Sequence, residues 1–333
     1  TCDNMIPAIT PRAPPILVST AASVRNCHRI FFFRAPSAFF SPISLVRSVT
    51  DTSMMFITPI PPTSKEILAI YLVIGGMPHA VQTYLDTNNL QDVLAVQKSI
   101  LQEYKRDIMK YKRDDSSQKL YIDEVFQLIP SELNAKNKRF ILKSLNEKAR
   151  FASYENSFLW LRDAGVALPT YIVEEPKQPL LLAKTRNLFK LFQSDVGLLT
   201  SQFADGIQLK LLADNQVINY GAIYENVVAQ ELKAHGFDLY YYNSKRLGEL
   251  DFVVEYHGHV LPIEVKSGKV YERHNALSNV MSSAEYALPE ALVLCNGNVS
   301  VDGKVVYMPI YMLMFLEKEQ AVNVTYKLDL SDL

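Results

Sequence analysis

The chain has 333 residues, of which 48% are hydrophobic and 21% are charged, so most of it is expected to be globular and its length allows two or three domains. The formal net charge of −1 excludes a global basic field that would attract nucleic acid, so any such binding must come from local patches. The three cysteines form no CxxC pair and no apolar run approaches about 18 residues, so we expect a cytoplasmic protein without a disulfide framework and without a membrane span.

Residues 1–62 differ in composition from everything after them. They contain no lysine and no glycine, only two acidic residues, five arginines and nine of the seventeen prolines. A stretch with so many prolines cannot be one amphipathic transit-peptide helix, because proline removes a helix hydrogen bond. We therefore expect residues 1–62 to be a poorly ordered or non-native leader, such as a frameshifted or truncated remnant.

A helical region is expected over residues 63–116. Residues 65–74 predict a helix that ends at the turn Gly75-Gly76-Met77-Pro78, and residues 79–114 predict further helix. The second stretch carries a run of lysines and arginines, which we interpret as a solvated helix face.

The elements predicted for residues 117–185 follow the order that is typical of a winged helix. Helices are predicted over residues 120–128, 138–145 and 154–164, and a wing strand over residues 169–175. The third helix would be the recognition helix by analogy. Because Arg162 is its only basic residue among acids, scaffolding or protein contact is favoured over DNA contact.

Residues 186–320 predict an α/β domain, followed by a tail over residues 321–333. Residues 187–199 predict a strand, a turn and the start of a helix, and residues 219–236 predict a helix capped by Asn219 and stopped by Gly236. Glu225 lies on the apolar face of the second helix, so its carboxylate needs a partner. Further elements are a helix over 274–286 and strands over 291–295 and 305–309.

The stretch from Gly248 to Gly268 predicts two strands around a tight turn at His257-Gly258, since apolar residues alternate with polar ones on both sides. In that register Asp251 faces Glu264, with Cβ atoms about 5 Å apart. Lys266 follows on the same face. Two carboxylates at this distance repel unless a cation or a proton lies between them, and Mg²⁺ with waters would resolve the repulsion.

Asp251, twelve further residues and then Glu264-Val265-Lys266 resemble the D…E-x-K core of PD-(D/E)XK nucleases, also called restriction-endonuclease-like. The resemblance implies a central mixed sheet flanked by helices and a site that takes Mg²⁺ or Mn²⁺. Its metal ligands would be Asp251, Glu264 and, from the preceding helix, Glu225. Its catalytic residues would be Lys266, Glu264 and Asp251.

Three stretches, residues 71–81, 190–199 and 221–268, together resemble the C-terminal half of a group of bacterial and archaeal AAA+-type ATPases of poorly known function. In that group an ATPase module precedes helices, a winged-helix-like region and a restriction-endonuclease-like domain. No G-x-x-x-x-G-K-[ST] phosphate loop is present, since both Gly-Lys pairs are followed by Val. No ATP site is therefore expected in this chain.

The leading hypothesis is divalent-metal-dependent phosphodiester hydrolysis, with DNA as a candidate partner. The alternative is a catalytically silent nuclease-fold module that binds DNA or a protein partner. A degraded fragment without a function of its own is the third interpretation.

Overall fold

The computed structural model of the protein describes residues 64–110, 116–135, 138–204, 206–213 and 220–318. The predicted leader (1–62) and the predicted tail (321–333) lie outside the described residues. The described α-helices are α1 (Ser64–Ile74), α2 (Pro78–Thr87), α3 (Leu90–Lys110), α4 (Ser116–Asn134), α5 (Phe151–Asp163), α6 (Val196–Thr200), α7 (Ile207–Leu212), α8 (Tyr220–Ala234) and α9 (Asn275–Met281). Short 3-10 helices span Leu142–Ser144, Leu180–Ala183 and Ile310–Phe315.

The described strands are β1 (Ala167–Val173), β2 (Lys184–Gln193), β3 (Tyr240–Ser244), β4 (Gly248–Tyr256), β5 (His259–Val265), β6 (Ala291–Cys295), β7 (Ser300–Asp302) and β8 (Val305–Pro309). They form one sheet in the order β2-β1-β3-β4-β5-β6-β8-β7. The pairs β1–β3, β5–β6 and β6–β8 are parallel and the other neighbours are antiparallel, so the sheet is mixed. A helical region followed by a mixed sheet with helices was expected from the sequence and is confirmed.

The central strands are apolar on both faces because helices cover both faces. In β4, Phe252 and Val254 belong to a hydrophobic cluster that includes α8, whereas Val253 belongs to a second cluster that includes α9. The residues of β6 alternate between the two clusters in the same way. The sheet is therefore the middle layer, and α8 packs on the side that also receives the N-terminal helices.

The helical region begins with two helices separated by a sharp bend. α1 ends at Gly75, whose φ of 72° is in the left-handed region, and Pro78 lies in the first turn of α2. The predicted helix over 65–74 and its stop are thereby confirmed, and Asn88 divides the longer predicted helix into α2 and α3. None of the described helices is by itself long and apolar enough to cross a membrane; α1 and α2 reach that length only together, and they are bent by 117° at their junction.

The structure corrects the wing strand that was predicted over residues 169–175. The predicted wing corresponds to β1, which pairs with β2 on one side and runs parallel to β3 on the other, inside the common sheet. A wing would present one face to solvent. β1 instead has buried residues on both of its faces and at both of its ends. The predicted boundary between residues 185 and 186 consequently falls inside β2, and all described residues belong to one compact unit.

The second predicted helix of that region, over 138–145, is also corrected. Only Leu142–Ser144 forms a helical turn, of the 3-10 type. Lys138 has a φ of 50°, and the N–H of Phe140 donates to the carbonyl of Phe189 in β2 at 3.0 Å. The chain therefore runs beside β2 here, because a tertiary hydrogen bond has replaced the helical ones.

Asp195 joins the bend after α1 to the end of β2. Its buried carboxylate accepts hydrogen bonds from the N–H of Gly76 at 2.6 Å and from the N–H of Leu198 at 2.8 Å, the latter as the N-cap of α6. A Cβ on Gly75 would lie 2.2 Å from Asp195 Oδ1, so this turn needs glycine. Burial raises the pKa of Asp195 to about 6, although the surrounding backbone amides lower it.

Asp195→Asn is expected to change how stability depends on pH. The folded chain holds a proton at Asp195 up to about pH 6, whereas the unfolded chain loses it near pH 4, so this group's stabilisation is fully present below about pH 4 and falls as the pH rises through 6. We expect the free energy of unfolding in urea to be higher for the wild type than for Asp195→Asn at pH 4. This difference should shrink by about 2–3 kcal/mol between pH 4 and 7. The exposed Asp86→Asn on α2 is the matched control. A pH-independent advantage would contradict the raised pKa.

Candidate functional site

The hairpin β4–β5 has the register predicted from the sequence. Tyr256 lies opposite His259, and the pairing continues without a shift along the described ladder. The two residues of the turn have φ angles of 45° and 74°, as the favoured two-residue hairpin turn requires. The ladder ends at the pair Phe252–Ile263, so Asp251 and Glu264 are the residues that come next on the two strands, at the end of the hairpin.

One oxygen of Asp251 is fixed by the backbone and the other faces a lysine. The N–H of Val265 donates to Asp251 Oδ2 at 2.9 Å. Asp251 Oδ1 lies 3.9 Å from the Nζ atom of Lys190. The side chain of Asp251 is 16% exposed, so the carboxylate is partly open to solvent although its orientation is set by β5.

Glu264 and Lys266 form an ion pair at the end of β5. Lys266 Nζ donates to Glu264 Oε1 at 2.7 Å, whereas Glu264 Oε2 is buried and accepts no hydrogen bond from any residue that the structure describes. Burial and the nearby Asp251 carboxylate raise the pKa of Glu264 to about 8, although Lys266 lowers it. At neutral pH a proton on Glu264 therefore relieves the repulsion from Asp251.

Glu225 reaches the site from α8, which corresponds to the helix predicted over 219–236; Asn219 itself lies outside the described residues. The Glu225 side chain is 3% exposed, and it forms ion pairs through Oε1 with Lys138 and through Oε2, at 3.6 Å, with Lys190. Burial and Asp251 raise its pKa, while the two lysines lower it. The expectation that this carboxylate needs a partner is confirmed.

Lys190 is absent from the residues predicted for the site, yet its ammonium group lies among the carboxylates. It projects from β2 with a side chain that is 0% exposed, and its Nζ atom lies 2.8 Å from Glu249 Oε1, 3.6 Å from Glu225 Oε2 and 3.9 Å from Asp251 Oδ1. The same atom lies 5.1 Å from the centre of the Tyr241 ring. Burial lowers the pKa of Lys190, but the three carboxylates outweigh burial and raise it, so the ammonium stays charged.

The acidic cluster is defined here as four carboxylates and the three lysines that contact them: Glu225, Glu249, Asp251 and Glu264, with Lys138, Lys190 and Lys266. Its net charge is −1 when every group is ionised and zero when Glu264 holds a proton. Glu249, Lys138 and Lys190 were missed by the sequence-based reasoning. A signal for Lys190 was present, because a lysine between Phe189 and Leu191 interrupts an apolar strand.

The donor atoms of the cluster suit a hard divalent cation. Such a cation takes carboxylate oxygens and keeps several waters, and Asp251 and Glu264 supply oxygens next to each other. Glu264 Oε2 is a further acceptor without a hydrogen-bond donor among the described residues, whereas Glu225 Oε2 lies 3.6 Å from the Nζ atom of Lys190. No three His, Cys, Asp or Glu side chains among the described residues converge into a complete cage, so the fit is that of a carboxylate pair completed by water.

Glu264→Gln is expected to abolish a pH dependence of stability. Because the folded-state pKa of Glu264 is about 8, its stabilisation is complete below about pH 4.5 and is lost as the pH rises through 8. Between pH 5 and 9 the free energy of unfolding in urea should fall by roughly 2–4 kcal/mol more for the wild type than for Glu264→Gln. Glu103→Gln, an exposed carboxylate paired with Arg106, is the matched control and should show no such trend. Parallel curves for all three proteins would contradict a buried proton on Glu264.

Two family models match the chain. Residues 65–209 match a domain of unknown function, DUF8612, and residues 220–313 match another domain of unknown function, DUF4143. In its wider family the second domain is associated with AAA-type ATPases, which agrees in part with the resemblance drawn from the sequence. No curated protein and no solved structure matches the chain. The four predicted site residues lie in the second matched region, whereas Lys138 and Lys190 lie in the first.

Proposed function

We propose that the sheet and its helices form a restriction-endonuclease-like module that acts on nucleic acid by divalent-metal-dependent phosphodiester hydrolysis. The observation that carries the proposal is Glu264 at the end of the hairpin near Asp251: its buried Oε2 atom accepts no hydrogen bond from the described residues, and Lys266 donates to its Oε1 atom. The partial exposure of Asp251 and Lys266, 16% and 27%, supports access for a substrate.

A bound Mg²⁺ or Mn²⁺ would supply a Lewis acid and a more acidic water at this site. Asp251 and Glu264 would hold it, with Glu225 as the third candidate ligand. Glu264 must lose its proton to do so, so binding should strengthen as the pH rises towards 8.

Lys266 is suited to stabilise negative charge rather than to accept a proton. Burial lowers the pKa of Lys266, but Glu264, which accepts its hydrogen bond, and the nearby Asp251 and Glu225 carboxylates outweigh this and raise it, so the ammonium stays protonated at neutral pH. A fixed positive charge beside the scissile phosphate would offset the charge that develops during attack by water. The catalytic contribution assigned to Lys266 is therefore electrostatic.

The second candidate is a catalytically silent module of the same fold that binds DNA or a protein partner. It is favoured by the three lysines, which already neutralise most of the cluster's charge without any metal. The association of the second matched family with AAA-type ATPases fits either candidate, because such a module would act beside a nucleotide-driven partner. This chain itself lacks a phosphate-loop motif.

Calorimetric titration of the full chain with Mg²⁺ and Mn²⁺ at about pH 8.5 separates the two candidates. We expect the wild type to bind a divalent ion and Asp251→Ala to lose that binding, since the pair is left with one carboxylate. Glu290→Gln, which removes a carboxylate outside the cluster, should bind as the wild type does. A wild type that binds neither ion would sink the hydrolytic proposal and leave the binding module.

Cleavage assays with Glu264→Ala test the chemistry directly. We expect Glu264→Ala to lose cleavage of DNA or RNA while retaining nucleic-acid binding, and Lys266→Met to lower the cleavage rate by about 100-fold. Binding that falls steeply with salt but needs no metal, with no cleavage by the wild type, would instead identify the silent module.

A further inference from the structure

The position of Lys190 bears on how many cations the acidic cluster can hold. Its ammonium is within 4 Å of one oxygen from each of Glu225, Glu249 and Asp251, at 3.6, 2.8 and 3.9 Å. Carboxylate oxygens are also the ligands of a divalent ion in proteins. These three carboxylates do not form a complete metal cage, and the point that they surround is filled by the Lys190 ammonium.

The ammonium group is fixed there by the surrounding structure. Lys190 is 0% exposed, its Nζ atom lies 5.1 Å from the centre of the Tyr241 ring, and its neighbours on β2, Phe189 and Leu191, are buried. Moving the charge elsewhere would break the ion pairs of Lys190 with Glu249 and Asp251 and leave the buried Glu225 with its ion pair to Lys138, which is unfavourable for charges held out of water. Lys190 is therefore a permanent member of the cluster.

At the opposite end of the cluster the lysine is partly exposed. Asp251 and Glu264 lie at the end of the β4–β5 ladder beside Lys266, whose side chain is 27% exposed and whose Nζ atom donates to Glu264 Oε1. Glu264 Oε2 accepts no hydrogen bond from the described residues. The cluster therefore has two sides, one occupied by Lys190 and one with an unsatisfied carboxylate oxygen.

We propose that Lys190 takes the place of one divalent ion, so that the acidic cluster binds a single divalent ion, between Asp251 and Glu264, and not two. This inference rests on the proposed function and deepens it, because it assigns one-metal rather than two-metal chemistry to the site. Lys190 is a positioning residue: it fixes Asp251 and Glu225 and sets the number of ions, without being placed next to the substrate. The N-terminal matched region thereby contributes a side chain to the site of the C-terminal one.

The test is the stoichiometry of Mn²⁺ binding to the full chain, measured by calorimetry at about pH 8.5, for the wild type, Lys190→Met and Lys138→Met. Methionine keeps the length and apolar packing of lysine but removes the charge. Lys138→Met also removes a lysine that forms an ion pair with Glu225. The Lys138 side chain is 22% exposed, whereas that of Lys190 is 0% exposed. We expect one ion per chain in the wild type and in Lys138→Met, and two ions per chain in Lys190→Met.

The outcomes separate this inference from the proposed function. One ion in the wild type and still one in Lys190→Met, however tightly held, overturns the role of Lys190 and leaves the proposed function intact. No ion in the wild type overturns the single-ion inference and also removes the metal from the proposed function, whatever Lys190→Met binds. Two ions in the wild type overturn the inference directly.

A variant that does not fold unless metal is present is also informative. If Lys190→Met recovers a native circular-dichroism spectrum and a cooperative thermal transition only with Mn²⁺, the ion has replaced the ammonium and the inference is supported. If it fails to fold in both conditions, Lys190→Met with Glu249→Gln removes one acid along with the lysine. Mn²⁺ should raise the midpoint of thermal unfolding of this double variant more than that of the wild type, and an equal or smaller rise overturns the inference.

Discussion

The burial of one positive charge organises this structure. An ammonium group taken out of water costs several kcal/mol, and Lys190 tolerates it only because carboxylates from α8 and β4 converge on it. Those two elements must therefore keep their positions relative to β2. In the sheet, β1 and β3 lie between β2 and β4, so the ion pair of Lys190 with Glu249 joins strands that are not neighbours.

A second set of polar contacts joins the end of β2 and the residues after it to α8 and to the bend after α1. Asn226 in α8 accepts from the N–H of Gln193 at 2.8 Å and donates to its carbonyl at 3.0 Å, so α8 is bonded to the end of β2. A few residues later Asp195 bonds the bend after α1. The segment from β2 to α6 thus connects the N-terminal helices, the sheet and α8. This explains why two regions matched by different families form one compact unit.

The acidic cluster combines features of a structural ion network and of a reactive site. Glu225 and Lys190 are buried, and with Glu249 and Lys138 they form a mutually neutralised ion network, as a stabilising network would be. Asp251, Glu264 and Lys266 form the other half, in which Glu264 carries a raised pKa and an Oε2 atom without a hydrogen-bond donor among the described residues, as perturbed groups at functional sites do. Asp251 belongs to both halves, because it contacts Lys190 at 3.9 Å and its carboxylate raises the pKa of Glu264.

Local pattern determined the hairpin, its turn and the strands over 291–295 and 305–309, because period-2 alternation and a glycine turn specify a register over short distances. The helix that carries Glu225, and its need for a partner, were determined in the same way. Only the tertiary structure decided which strand β1 joins and which cation Glu225 meets. Strand partners 60 or more residues apart leave no mark in local periodicity, so the predicted wing was wrong. Lys190 and Lys138 come from segments far from the hairpin in sequence, and their charges meet the carboxylates only when β2 and the segment beside it pack against α8.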